Sequence, residues 1–218
     1  MQFPNALEGV KKIYKAEILE LIAGIVALVA ALLMIIGAVG AKAESAGTAL
    51  GGILGGGVLL IAVAVLSIIS FIMGIVGVKK AMPDEENFKN AFYVLIVGII
   101  ASVVLGCAKA GGILSDAGET VSSICSFLAQ YFIITAIVVL AQRLGDSEME
   151  TKGLNTRKML MVVWIIRIIF QVIDIFVGKS DTLDVASGVL ALIAAVVGIV
   201  AYVMYLKLLS RARFMLEK

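Results

Sequence analysis

Long apolar runs broken by short polar segments dominate the chain. Six runs meet the roughly 20 residues that a membrane-crossing helix needs, at about 17–41, 51–78, 90–109, 119–143, 158–178 and 185–208. None alternates with a period of two, and all are too long for the strands of a membrane barrel. The pattern predicts an all-α fold, a polytopic membrane protein built as a six-transmembrane-helix bundle. Ahead of the first run, Phe3, Leu7, Val10 and Tyr14 share one helical face, while Glu8, Lys11, Lys12 and Lys15 lie elsewhere. Pro4 suits a first helical turn. Residues 4–16 are therefore expected to form an amphipathic helix on the membrane interface. A secretory signal ending at the AKA of 41–43 is the rival reading. The length of the apolar run, with Glu17 and Glu20 at its mouth, argues against it.

The breaks between runs differ in charge. Fourteen lysines and arginines gather on one side, in the groups Lys11–Lys15, Lys79–Lys89, Arg143–Lys158 and Lys207–Lys218; the other side has Lys42, Lys109 and Lys179. The excess of basic residues marks the cytoplasmic side. Both termini are then expected in the cytoplasm of a multi-pass cell-membrane protein, residues 1–218 forming a single membrane domain. The spans pair as three hairpins whose Gly-, Ser- and Asp-rich tips face outward. The hairpins follow one another at about 65–70 residues, a weak internal repeat that any three hairpins obeying the same charge rule would also show. In MPDEEN, Pro83 and the acids Asp84, Glu85 and Glu86 fit a helix N-terminus, where carboxylates suit the dipole.

Composition agrees with this pattern. Hydrophobic residues make up 61% of the 218, charged residues 16%, and mean hydropathy is +1.11, an excess of apolar surface that a soluble core of this size has no room for. There is no histidine, which weighs against a zinc, haem or histidine-based catalytic site. No metal and no cofactor is expected. Cys107 and Cys125 flank one outer loop and stand either as a disulfide or as two small apolar fillers.

One span breaks the apolar rule. Within 158–178, Arg167 lies near mid-membrane, with Trp164, Gln171 and Asp174 three, four and seven residues away on the same helical face. A charge at that depth costs roughly 2.5–3.5 kcal/mol on insertion scales, so its neighbours must supply partners or water. Ser67, Ser70, Ser102, Gln130 and Tyr131 fall at comparable depth in other spans. A cation ringed by hydroxyls and an amide suits a small, anionic solute. The competing reading is structural: Glu17 or Glu20 pairs with Arg167, Asp174 reaches toward Lys179, and the hydroxyls bond their own backbone.

Small residues mark packing faces. Ala23, Ala27 and Ala31 recur every fourth residue in the first span, and Ser187, Ala191 and Ala195 do so in the sixth; Gly51 with Gly55, and Gly52 with Gly56, open the second. Such stripes let helices approach closely. Six spans in about 200 residues with the stripe Ala23, Ala27, Ala31 resemble the substrate-binding subunits of energy-coupling-factor vitamin transporters. The resemblance covers one helix and brings no ligand with it. It implies that the stripe docks a transmembrane partner.

GGILGGG at 51–57 lacks the lysine and hydroxyl residue of a nucleotide loop, and no nucleophile elbow is present. The basic residues line a membrane edge, which gives nucleic acid no soluble basic patch to bind. The expectation is a non-enzymatic membrane protein that binds or moves a small solute at Arg167. The alternative is a structural or partner-binding subunit of a membrane complex.

Overall fold

The computed structural model describes residues 2–42, 46–107, 113–177 and 184–217. Side chains at Arg167, at 169–177, at 184–195 and around the two ends 105–120 and 41–50 lie outside the described residues. Among the described residues the fold is all-α, with six helices: α1 (Pro4–Lys42), α2 (Ala46–Ala81), α3 (Glu86–Cys107), α4 (Ile113–Leu144), α5 (Ser147–Val177) and α6 (Asp184–Glu217). Four stretches are long and apolar enough to cross a membrane among the described residues: Pro4–Gly40, Leu54–Ala81, Glu86–Val104 and Val121–Leu144. The expected fifth and sixth spans fall in part on side chains outside the described residues.

The chain divides into two compact units, Lys11–Gly77, and Met1–Val10 with Val78–Lys218. In the first, α1 and α2 run antiparallel along a seam of small residues. Ala16, Ala23, Ala30 and Gly37, seven residues apart, are buried on α1. A period of seven keeps one seam facing a partner helix. A Cβ added to Gly52 would come within 2.5 Å of the Gly37 Cα, and one added to Gly56 would come within 2.5 Å of the Met34 Cγ and 3.0 Å of the Ala30 carbonyl. At Gly37 and Gly52 the backbones meet where neither helix carries a side chain, and at Gly56 the missing side chain makes room for Met34, the close packing that replaces the hydrophobic effect in lipid. At the other end of the seam, the buried Ser70 hydroxyl donates to the Ala16 carbonyl at 2.8 Å. The outer faces carry Leu28, Leu32, Ile35, Val58, Ile61 and Ile72, all exposed.

This seam corrects the expected alanine stripe. Ala23 is buried and Ala27 half-buried, but Ala31 is exposed. The buried line follows the seven-residue period and not the four-residue one. A four-residue line drifts around the helix, whereas seven residues is close to two full turns. Of the two glycine pairs, Gly52 and Gly56 face α1, while Gly51 meets nothing within 4 Å.

In the second unit, α4 is the central helix: it packs on α3, on α5 and at points on α6, and α5 packs on α6. Glycines again mark the closest approaches. A Cβ on Gly98 of α3 would lie 2.7 Å from that of Cys125 on α4, and Gly153 of α5 faces Val138 of α4 and Leu208 of α6. Cys125 is a free thiol. The Cys107 side chain lies outside the described residues.

Among the described residues, the core of this unit gathers at one end. Ala6, Leu7 and Val10, Val78 and Ala81, Phe88 and Ala91, Ile133, Ile134, Ile137, Leu140 and Ala141, and Tyr205, Leu208, Leu209, Ala212, Met215 and Leu216 are buried there. This placement bears on the expected interfacial helix at 4–16. The helix begun at Pro4 runs without a break to Lys42, and the stripe Ala6, Leu7, Val10 is buried within protein. Phe3 and Tyr14, expected on the same face, are only half-buried.

Three acids organise that end, each differently. Asp84 caps α1 from outside: its Oδ2 accepts the Ala6 N–H at 2.7 Å, and its Oδ1 accepts a bond from the Asn5 amide at 3.0 Å. α1 has no side chain of its own suited to this, since Phe3 precedes Pro4, so the carboxylate satisfies a free N–H and meets the positive end of the helix. Glu85 is buried and pairs with Arg143 at 2.7 Å, while its other oxygen accepts from Asn87 at 2.9 Å. Glu86 stands in the first turn of α3, the one acid in the expected role. Pro83 lies in the preceding turn, not in the helix. An ion pair between Glu8 and Lys80 closes the same corner.

α4 passes to α5 through two residues. Gly145 adopts φ +71°, and the Asp146 N–H donates back to the Ala141 carbonyl at 3.0 Å. This is a left-handed helix stop, for which glycine carries no steric penalty. Asp146 then starts α5, its carboxylate accepting the Met149 N–H at 2.9 Å. The polar lead into the fifth run is therefore helix from Ser147, three turns earlier than 158.

Candidate functional site

The antiparallel register set by the Gly145 corner brings the middle of α4 opposite the middle of α5. Phe127 and Trp164 stack there, ring centroids 4.5 Å apart and planes 25° from parallel. Beside them opens a cleft of about 560 Å³. From α4, Ser122, Ser126 and Gln130 reach it at four-residue steps, with Ser123 next to Phe127; from α5, Leu160, Val163 and Trp164 complete the wall. Hydroxyls and an amide thus line one wall, and an aromatic stack with two aliphatics lines the other. Such a surface offers both hydrogen bonds and apolar contact to a small polar molecule.

A charged group stands at the corner-ward end of this region. The Arg157 guanidinium lies over the Tyr131 ring, 5.6 Å from its centroid. Tyr131 also meets the Phe127 and Phe132 rings, at 6.4 and 6.0 Å. Tyr131 is thus an aromatic platform for a cation and does not line the cleft. In the opposite direction the same register continues. Ser123 lies four residues from Phe127, and Arg167 three residues from Trp164, so the Arg167 backbone stands nearest the level of Ser123. Leu160, Trp164 and Arg167 share one helical face by spacing. The side chains of Arg167, Gln171 and Asp174 themselves lie outside the described residues, and so does any pairing of Arg167 with Glu17 or Glu20. Glu20 is exposed.

The expected serines divide differently. Ser70 bonds the Ala16 carbonyl and belongs to the α1–α2 seam; Ser102 bonds the Gly98 carbonyl one turn back on α3, at 2.7 Å. Neither lines the cleft, and Ser67, half-buried on α2, is not among its wall residues. A hydroxyl bonded to its own helix is satisfied without a ligand. The expectation overlooked Ser122, Ser123 and Ser126. Their signal was present: two polar steps of four residues, Ser122 to Ser126 to Gln130, at helical period inside an apolar span. The side chains of Ala191 and Ala195 lie outside the described residues. No group of three or more potential metal ligands is found among the described residues.

Comparison of the chain with protein-family descriptions, with curated proteins and with solved structures returns no match. The helices are apolar enough for a multi-pass membrane protein, and the activity is argued from the cleft itself.

Proposed function

We propose that this is a six-span, non-enzymatic membrane protein that binds a small polar solute, anionic by preference, in the α4–α5 cleft, as a step in its movement or sensing. The observation that carries the reading is the wall of Ser122, Ser126 and Gln130 facing the Phe127–Trp164 stack across about 560 Å³. In a lipid-embedded helix, the Ser122 and Ser126 hydroxyls and the Gln130 amide, set at four-residue steps on one face, suit a polar occupant or water. The register position of Arg167 near the Ser123 level favours an anion, because a guanidinium pairs best with carboxylate or phosphate oxygens. The excess of basic residues in the breaks that hold Lys80, Arg143 and Lys152 supports cytoplasmic termini.

The partner-binding alternative has less support, because its principal stripe is divided: Ala23 is buried along the α1 seam and Ala31 points away from it. A thermal-unfolding screen of the purified chain against small carboxylates and phosphate monoesters tests the proposal. Saturable stabilisation by one compound, abolished in both Gln130→Leu and Arg167→Gln, is the expected result. If every stabilising compound acts equally on the wild type and both variants, the cleft is not where it binds.

A further inference from the structure

A second cleft, of about 220 Å³, opens between α5 and α6 near the Gly145 corner. Three cations line it: Lys152 on α5, and Lys207 and Arg211 one turn apart on α6. Asn155 adds an amide, and Met204 and Leu208 make an apolar floor. The spacing 204, 207, 208, 211 places the α6 contributors on a single face. Among the described residues, two carboxylates stand near these charges: Glu148 pairs with Lys152 and lies 3.4 Å from Arg211 Nη1, and Asp146 lines the adjoining recess with Glu148, Lys152 and Arg211. Lys207 adds a third positive charge, so cations outnumber carboxylates around the cleft.

The surface leading away from Lys207 is of the opposite kind. Val203, Val200 and Val196 follow at steps of three or four residues along α6, all exposed, with Ile199 beside them at 64%. A basic recess joined to an apolar rail matches a molecule with an anionic head and a hydrocarbon tail. A freely soluble phosphate has no use for the rail.

We propose that this cleft binds the phosphate headgroup of an anionic phospholipid, with an acyl chain lying along Val203, Val200 and Val196. Lysine and arginine donors form short charge-assisted hydrogen bonds with phosphate oxygens, and basic recesses between membrane helices are suited to such headgroups. Asn155 is placed to donate to the same group, and the Met204–Leu208 floor meets the glycerol carbons. This site is separate from the α4–α5 cleft and stands or falls independently of it.

The test uses the full chain in lipid nanodiscs of phosphatidylcholine with increasing phosphatidylglycerol, followed by thermal unfolding. The midpoint should rise saturably with phosphatidylglycerol. Lys207→Gln should leave the midpoint in pure phosphatidylcholine unchanged and raise the half-saturating phosphatidylglycerol fraction about fivefold, the effect of about one basic residue near an anionic surface. Lys89→Gln, an exposed cation on α3, should behave as wild type. Four results overturn the proposal: no response to phosphatidylglycerol, an unchanged response in Lys207→Gln, an equal loss in Lys89→Gln, or full stabilisation by inorganic phosphate alone. The third outcome means diffuse attraction of a basic surface, and the fourth means a soluble ligand.

Discussion

Phe127 and Trp164, 37 positions apart in the chain, stack at 4.5 Å and fix the register of α4 against α5. The stack sits beside the cleft that three serines and Gln130 line, so the same contact that holds the hairpin together also walls that cleft. An aromatic pair contributes roughly 0.5–1.5 kcal/mol beyond the area it buries. Phe127→Ala should therefore lower the thermal midpoint of the purified protein and also weaken any solute that binds there. Phe127→Leu, which keeps volume without the ring face, should recover most of the stability. Equal solute affinity in wild type and Phe127→Ala would show that the stack is packing alone.

Asp84 stabilises a helix to which it does not belong. Removing a cap costs about 1 kcal/mol, and here the Asn5 bond is lost as well. Asp84→Ala is expected to destabilise the protein by about 1–2 kcal/mol in reversible unfolding. Asp84→Asn, which keeps one acceptor but no charge, should fall between. Hydrogen exchange should show the loss at Asn5 to Leu7 first. Protection unchanged at those amides would remove the capping role.

The Glu85–Arg143 pair joins the turn before α3 to the end of α4. Glu85 is buried, whereas Arg143 is half exposed, so solvent screens the pair and its worth is below that of a fully buried one. Arg143→Ala strands a buried carboxylate and should cost roughly 1–3 kcal/mol. Adding Glu85→Gln should restore part of the loss. A double-mutant cycle with coupling near zero would mean that Asn87 alone satisfies Glu85.

Gly52 of α2 has no room for a Cβ, because the Gly37 backbone fills the place. Gly52→Ala drives a methyl into the Gly37 backbone, and overpacking of this sort costs typically 1–3 kcal/mol. Gly57→Ala, where nothing lies within 4 Å, should be neutral or slightly stabilising, because alanine is the better helix former. Thermal unfolding of both variants in one detergent makes the comparison. A neutral Gly52→Ala would place the α1–α2 contact elsewhere.

Much of the helical pattern was legible because apolar runs of this length admit few other structures. The centres of α1 to α4 fall where the runs do. Helix ends were harder to read. The segment 147–157 carries Glu148, Glu150, Lys152 and Arg157 and has no apolar run, so hydropathy marks it as a loop; yet Gly145 followed by Asp146 spells a helix stop and start. The α1 seam was misread because Ala23, Ala27 and Ala31 form the more conspicuous series, while Ala16, Ala23, Ala30 and Gly37 form the one that stays on a single face. The link between Asp84 and Ala6 spans 78 positions, and no local pattern announces it. For the cleft, Gln130 and Trp164 were found by asking which polar or amphipathic groups share a depth. The serines were missed because depth was weighed without the helical face, and Ser70 and Ser102 were satisfied by backbone carbonyls nearby.

Trp164 is the single tryptophan of the chain, so its emission reports on the cleft wall without interference. The most direct measurement is collisional quenching of that emission in nanodiscs, with iodide or acrylamide in the water compared against brominated lipid in the bilayer. An α4–α5 cleft that admits a polar solute predicts efficient aqueous quenching, little effect of brominated lipid, and protection by any solute that stabilises the protein. Strong quenching by brominated lipid together with none from the aqueous side would show Trp164 facing hydrocarbon, and would contradict the cleft as a solute site.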